Sequence, residues 1–459
     1  MSFDLVIKNA RLVRPTGITD AVLGIKAGKI AAIMTDASLI TGDQTLDAGH
    51  QYVLPGLIDP HVHFAYTGSF EDQFKSEPKA AAMGGVTTVG NYLILPQGVI
   101  DQLDGLIKLW NSSAVIDGFF HSMVVSEKTI GEISECYERG ITSFKFLMGY
   151  KGPQAELLGI TATDDGKVFE GFEKIGKLPG AIGMVHAENI DIILMMQKRY
   201  RSRQDHAVWA ESRPRFCEAE TMHRAINLAR EAGNTLYIVH MTIGEGVEIV
   251  GRAKAEGLPV IAETCPQYLT VTNDNNEYLK KHPAFANVNP PIRYDDDLAL
   301  LWKGLQDGRV DLIGTDHAPI SAAKKGDDIW NAPMGLGNLT EYLLPVMLSE
   351  GVNKGKITLE RLVEVCCYKP AQVFGLLPQK GVISTGADAD LVFIDLHKKK
   401  IPESKYSAAE WSPWAETELE GWPTLTMVRG EIVMKDGAIV GKEGTGRFIP
   451  RPVTKSFRL

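Results

Sequence analysis

The sequence has little that could tie it together covalently. Its five cysteines, Cys136, Cys217, Cys265, Cys366 and Cys367, are odd in number and scattered, with no CxxC pair. That argues against a disulfide framework and fits a reducing cytosol, so a cytoplasmic protein is expected. No run of about 18 apolar residues occurs, so no membrane span is expected. The opening MSFDLVIKNARLV lacks a basic segment followed by a long apolar one, so no signal peptide is expected. There is no long Lys/Arg block either. The densest basic run is Lys398, Lys399 and Lys400, and the formal net charge is −9. Nucleic acid and anionic membranes are therefore not expected partners.

What is present is an ordinary globular composition, 44% hydrophobic and 23% charged, in a chain of 459 residues that is too long for one small core. The two ends differ from the middle. Residues 4–54 carry short apolar runs, Leu5–Ile7, Ala21–Ile25 and Ile30–Ile33, with turn signals at Gly28 and Asp47-Ala48-Gly49. The same rhythm returns near Asp390–Ile394 and Met427–Val433. It predicts small antiparallel strands, and thus one β-sandwich domain composed of residues 1–54 and 376–459. The middle alternates eight apolar runs with helical patterns. The runs are Val53–Ile58, Val86–Asn91, Ala114–Phe119, Thr142–Leu147, Ala181–Val185, Thr235–Val239, Pro259–Ala262 and Val310–Gly314. Glu218–Ala232 is one of the helical patterns between them. Eight β-then-α units predict an α/β fold with a (β/α)8 TIM barrel over residues 55–375. An open doubly wound sheet is the runner-up.

Several of these runs end in a residue that can bind metal. The first leads into His61-Val62-His63, two imidazoles on one face of a strand. Others end in His186, His240 and Asp316. Each alone is a weak sign, since an HxH pair, a strand-end histidine or a capping aspartate has ordinary structural uses. Together, four histidines and an aspartate on four strand ends point to a metal site. Lys145 sits between Phe144 and Phe146, so by alternation the rings face the helices and the amine faces the barrel. A buried lysine without a partner is costly, and as an ammonium it would repel a metal ion.

The stretch Pro55-Gly56-Leu57-Ile58-Asp59-Pro60-His61-Val62-His63 resembles the opening signature of the cyclic amidohydrolases. Lys145, His186, His240 and Asp316 stand at positions that family uses. The resemblance continues through Gly84–Thr88, Glu263–Leu269, Asn289–Arg293, Asp316–Pro319, Lys369–Ala371 and Gly386–Leu391. It implies two divalent metal ions per chain, zinc first, with manganese, cobalt or iron as alternatives. It implies that Lys145 is carboxylated by CO2 and bridges them. One ion would be held by His61, His63, Lys145 and Asp316, the other by Lys145, His186 and His240. A hydroxide shared by the ions would open a cyclic amide, with Asp316 moving the proton and Tyr150 stabilising the oxyanion. The family's homotetramer is also implied.

Lys145–Gly152 resembles the hydantoinase and dihydropyrimidinase segment, with Tyr150 five residues after the lysine. Dihydroorotases usually carry an arginine where Ala65 stands. The expected reaction is therefore ring opening of a hydantoin or dihydropyrimidine to an N-carbamoyl amino acid. Alternatives are an allantoinase, another cyclic amide or imide hydrolase, or a non-catalytic dihydropyrimidinase-like scaffold protein. Asn289, before Pro290-Pro291, and Asn338 are the further expected substrate contacts. The aromatic loop Phe64–Phe70, with Leu147, is expected to line an apolar pocket for a ring substituent.

Overall fold

The computed structural model describes residues 2–36, 38, 40–152, 155–156, 158–161 and 164–451. The chain opens with β1 (Ser2–Arg14), β2 (Gly17–Lys26), β3 (Lys29–Met34), β4 (Thr41–Asp47) and β5 (Tyr52–Pro55). β1 is irregular between Ile7 and Ala10, where Asn9 takes φ 55°. It runs parallel to β4 over its first half and meets β5 at Arg11 and Leu12. Ala27 and Gly28 both take positive φ, the turn geometry that matches the twist of a two-residue hairpin, and they join β2 to β3.

The barrel follows as β6 (Leu57–Val62), β7 (Val86–Leu93), β8 (Asp117–Met123), β9 (Ser143–Leu147), β10 (Ile182–His186), β11 (Thr235–Ile238), β12 (Val260–Thr264) and β13 (Leu312–Ile313). The eight strands are hydrogen-bonded in sequence order. Helices such as Arg215–Ala232 and Gly244–Ala255 lie between them in the chain, as parallel neighbours require. Closure between the first and last strands comes just beyond β13. His63 N donates to His317 O at 2.7 Å, and the buried Asp59 carboxylate accepts from Thr315 N (3.0 Å) and Thr315 Oγ1 (2.6 Å).

The chain then returns to the first sheet as β14 (Leu391–Lys400), β15 (Leu419–Val428), β16 (Glu431–Lys435) and β17 (Ala438–Ile439). β14 pairs antiparallel with β5, which joins both ends of the chain in one mixed sheet of nine strands. Its apolar face gathers Ile7, Leu12, Leu23, Val53, Leu391, Phe393 and Met427 into one core.

Three strand readings shift. Val53–Ile58 is not one strand: Val53–Pro55 belongs to β5, and Leu57 begins β6. Gly56 marks the change, and a Cβ there would lie 2.0 Å from Thr87 Oγ1. In Ala114–Phe119, the apolar start precedes β8, and Ala114 O accepts from Gly444 N and Gly446 N. Met427–Val433 is broken by a two-residue turn at Arg429 and Gly430.

Residues 447–451 run beneath the N-terminal ends of the barrel strands. Gly118 N donates to Arg447 O (3.0 Å), Ile449 N to Gly118 O (2.7 Å) and Arg451 N to Gly140 O (3.1 Å). The buried Arg451 guanidinium donates to Ser143 Oγ and Phe120 O, both at 2.7 Å, over the Phe119 ring. Beside this floor Lys380 is buried among Asp117, Asp388 and Asp390, with Arg429 also on Asp117. Among the described residues, no helix is long and apolar enough to cross a membrane.

Candidate metal centre and active site

The polar ends of the barrel strands meet at one mouth. His61 lies on β6 and His63 just past it, with their Nε2 atoms 3.3 Å apart. On β9 the alternation holds: Phe146 packs edge-on against Phe172 outside, with ring centroids 5.2 Å apart. Lys145 points inward, its Nζ 2.8 Å from His61 Nε2 and 3.5 Å from His63 Nε2. Asp316, at φ 56°, brings Oδ1 to 3.1 Å from His61 Nε2 and 3.2 Å from His63 Nε2. His186 ends β10 and His240 follows β11 at φ 41°, with His186 Nδ1 3.0 Å from His240 Nε2. The stacked rings of His61 and His240, centroids 5.4 Å apart, join the two groups. A left-handed backbone at a residue that is not glycine costs of order 1–3 kcal/mol. Here it falls on His240 and Asp316, two of the six residues that converge.

A second layer orients these rings, and sequence reasoning missed its roles. Glu263 Oε1 is 2.6 Å from His61 Nδ1 and accepts the His240 backbone N–H at 2.8 Å. Its Oε2 accepts the Tyr237 hydroxyl at 2.7 Å. Glu188 Oε2 is 2.8 Å from His186 Nε2 and accepts from Arg213 Nη1 at 2.7 Å. Glu188 stands two residues after His186, and Glu263 directly follows the apolar run Pro259–Ala262 and lies on β12. Those placements were the available signals.

Burial pushes the Lys145 amine down to about 8, against the upward pull of Asp316 and Glu263. Burial works against the Asp316 carboxylate, but His61 and His63 beside it hold it well below the usual range. Burial pushes the Tyr150 phenol far up, so it stays protonated.

The donor set fits divalent metal. His61, His63 and Asp316 each offer an atom within 4.8 Å of the others. These are lone-pair donors with few protons between them, an arrangement a cation relieves. Among the described residues, no carboxylate groups with His186 and His240 as Asp316 does with His61 and His63, since Glu188 meets the other ring nitrogen of His186. Lys145 stands at the first set, its Nζ against both His61 and His63.

The sequence profile of the Amidohydrolase family matches residues 181–433. The chain is 37% identical to an L-hydantoinase of Paenarthrobacter aurescens, over 98% of each chain. It is 35% identical to a D-hydantoinase of Geobacillus stearothermophilus, over 97% of this chain and 96% of the relative. The chain belongs to the amidohydrolase family. Among solved structures, the L-hydantoinase (dihydropyrimidinase) from Arthrobacter aurescens superposes with a TM-score of 0.91 at 36% identity, over 98% of this chain and 100% of that one. A dihydropyrimidinase from Brevibacillus agri NCHU1002 gives 0.89 at 30% identity, over 99% of both chains.

The mouth of this amidohydrolase is a cavity lined by His63, Lys145, His186, His240 and Asp316, together with Tyr150 and Asn289. Tyr150 packs edge-on against His186, centroids 5.1 Å apart, and donates to Met334 Sδ at 3.5 Å. Asn289 Oδ1 accepts from Trp209 Nε1 at 3.2 Å. The apolar wall is Tyr66, Ile94, Met123, Leu147, Leu158 and Met334. Of the expected aromatic loop only Tyr66 reaches it. Phe64 packs by Trp110 and His317, and Phe70 against Phe74. Asn338 requires a correction. It is fully buried outside the cavity, with Nδ2 donating to Glu341 Oε2 (2.6 Å) and Ser404 Oγ (3.0 Å). Met334 and Gly335 of that segment line the cavity instead.

Proposed function

We propose that this amidohydrolase opens a cyclic amide of the hydantoin or dihydropyrimidine class by hydrolysis, giving an N-carbamoyl amino acid. The observation that carries this is the convergence of His63, His186, His240, Lys145 and Asp316 on one cavity, with His61 buried behind Lys145, in a chain similar to hydantoinases over 98% of its length. His61, His63, a carboxylated Lys145 and Asp316 would hold one divalent ion, zinc first. The same lysine with His186 and His240 would hold the other. When bound, two such ions bring the pKa of a shared water toward neutrality and polarise the amide carbonyl.

The chain's own residues do the rest. Asp316 takes the proton from the attacking water and passes it to the ring nitrogen as the C–N bond breaks and the C–O bond forms. Tyr150, held protonated, donates to the oxygen that gains charge. Asn289 borders the ring, and the apolar wall of Ile94, Met123, Leu147 and Leu158 takes the ring substituent and keeps bulk water out. A division into a sandwich of residues 1–54 with 376–459 and a catalytic barrel of 55–375 belongs to this reading, and the change of sheet at Gly56 supports it. So do a cytoplasmic location, argued from the scattered cysteines, and a homotetramer, argued from the family resemblance and checked by light scattering.

The test is purification with bicarbonate and a divalent metal, followed by metal analysis and a substrate panel. The panel is hydantoin, 5-substituted hydantoins, dihydrouracil, allantoin and dihydroorotate. About two ions per chain with hydantoin or dihydrouracil turnover is expected. Turnover of allantoin or dihydroorotate alone would overturn the substrate class. A metal-free, inactive chain would overturn the site.

A further inference from the structure

Glu188 and Arg213 are both closed off from solvent, at 0% side-chain exposure. A buried ion pair contributes little net stability against an apolar pair of the same size, so its presence calls for another use. Glu188 Oε2 receives both His186 Nε2, at 2.8 Å, and Arg213 Nη1, at 2.7 Å. With Nε2 carrying the proton toward Glu188, His186 presents Nδ1 as a lone pair, and that atom faces His240 Nε2 at 3.0 Å. His240 Nδ1 is buried and has no hydrogen-bond partner among the described residues. Of these two rings, only His186 has its orientation fixed by a carboxylate.

Arg213 carries the connection further. Its guanidinium lies over the Trp209 ring, 5.1 Å from the centroid. Trp209 Nε1 donates to Val288 O at 2.9 Å and Asn289 Oδ1 at 3.2 Å. A continuous run of contacts thus joins His186 to the Asn289 wall of the cavity. On the other side His61 has a different brace, Glu263.

We infer that Glu188 and Arg213 are a positioning pair for the His186 and His240 half of the centre, setting affinity for the ion held there and, through Trp209, the stance of Asn289. This rests on the metal-centre reading above. The pair touches neither ion nor substrate. Its effect is selective, because the His61, His63 and Asp316 half does not depend on it.

The test uses the full chain as wild type, as Glu188→Gln, and as the double variant Glu188→Leu with Arg213→Met. The double variant removes both charges and leaves no unpaired guanidinium in the interior. Each protein is loaded with cobalt(II) and bicarbonate, and ions per chain, stepwise affinity and the visible cobalt spectrum are measured. Wild type is expected to hold about two ions. Both variants should keep the tighter ion and bind the second about 10- to 100-fold more weakly. Their cobalt spectra should lose the contribution of the second site. If Glu188→Gln fails to fold, the double variant decides. Two ions bound as tightly as in wild type, or both ions weakened equally, would overturn this inference alone. A wild type that binds no metal would overturn both it and the reading beneath it.

Discussion

Removing a single oxygen tests the assignment of Tyr150. Its hydroxyl sits in the cavity wall, with the residue 8% exposed, and donates to the sulfur of Met334 at 3.5 Å. A thioether is a weak acceptor, so Tyr150→Phe strands no strong partner and should cost under about 1 kcal/mol of folding stability. As an oxyanion donor the same hydroxyl acts in a site closed to bulk water, where losing one donor costs about 2.7–4 kcal/mol, or about 10²–10³ in kcat. The expected signature is therefore an unchanged Tm and metal content with kcat down by about two to three decades. Burial keeps the phenol protonated, so the ratio of wild-type to variant kcat should stay level from neutral to mildly alkaline pH. Steady-state ring opening of hydantoin, with a melting curve on the same preparation, measures all three. A fall in kcat of less than about tenfold, or a rise in KM alone, would refute the assignment and leave Tyr150 as a wall residue.

Asp316→Ala should abolish turnover in a metal-supplemented assay, and wild-type turnover with metal still bound would remove Asp316 from proton transfer. Glu341 is buried and burial pushes its carboxyl up to about 8, against the pull of Asn338 and Lys400. The folded value lies above the unfolded one of about 4.3, so wild type should lose stability as pH rises between them. Glu341→Gln should flatten that slope in thermal melts, and an unchanged slope would count against it. Lys380→Met removes the ammonium from three buried carboxylates, with Arg429 still on Asp117, Lys29 still on Asp388 and Asp390 left without an ion partner among the described residues, and unfolding should become easier by about 3–5 kcal/mol in a urea titration. Metal content should be untouched, since this cluster lies by the barrel floor, and a loss below about 1 kcal/mol would refute the reasoning.

The residues that converge on the cavity were legible because strands impose a period of two and barrels place chemistry at strand ends. His61, His63 and Lys145 needed only those two rules to be placed on one face. Glu188 and Glu263 were harder. Their roles depend on which ring nitrogen lies opposite them: Glu263 meets His61 from a strand far away in the chain, and Glu188, although two residues from His186, is fixed by Arg213 from a separate segment. Asn338 shows the limit more sharply. It lies in a segment without periodicity, and its side chain is turned by Glu341 and Ser404, the second distant in sequence. Ile94, Met123 and Leu158 carry no mark that separates a cavity wall from a packed core. The break at Gly56 was hidden because both halves of Val53–Ile58 are apolar, although they serve different sheets.

The floor of the barrel has a consequence for how the protein is made. A ribosome delivers β6 to β13 in order, and domains generally begin to fold as they emerge. Gly118 and Ser143, however, wait for Arg447, Ile449 and Arg451, and β5 waits for β14. Until that late segment arrives, the nascent barrel is open beneath and β5 offers an unpaired edge to other chains. Completion therefore comes after all eight barrel strands have been made, and chains terminated before that segment are the species a cell's chaperones and proteases would have to clear.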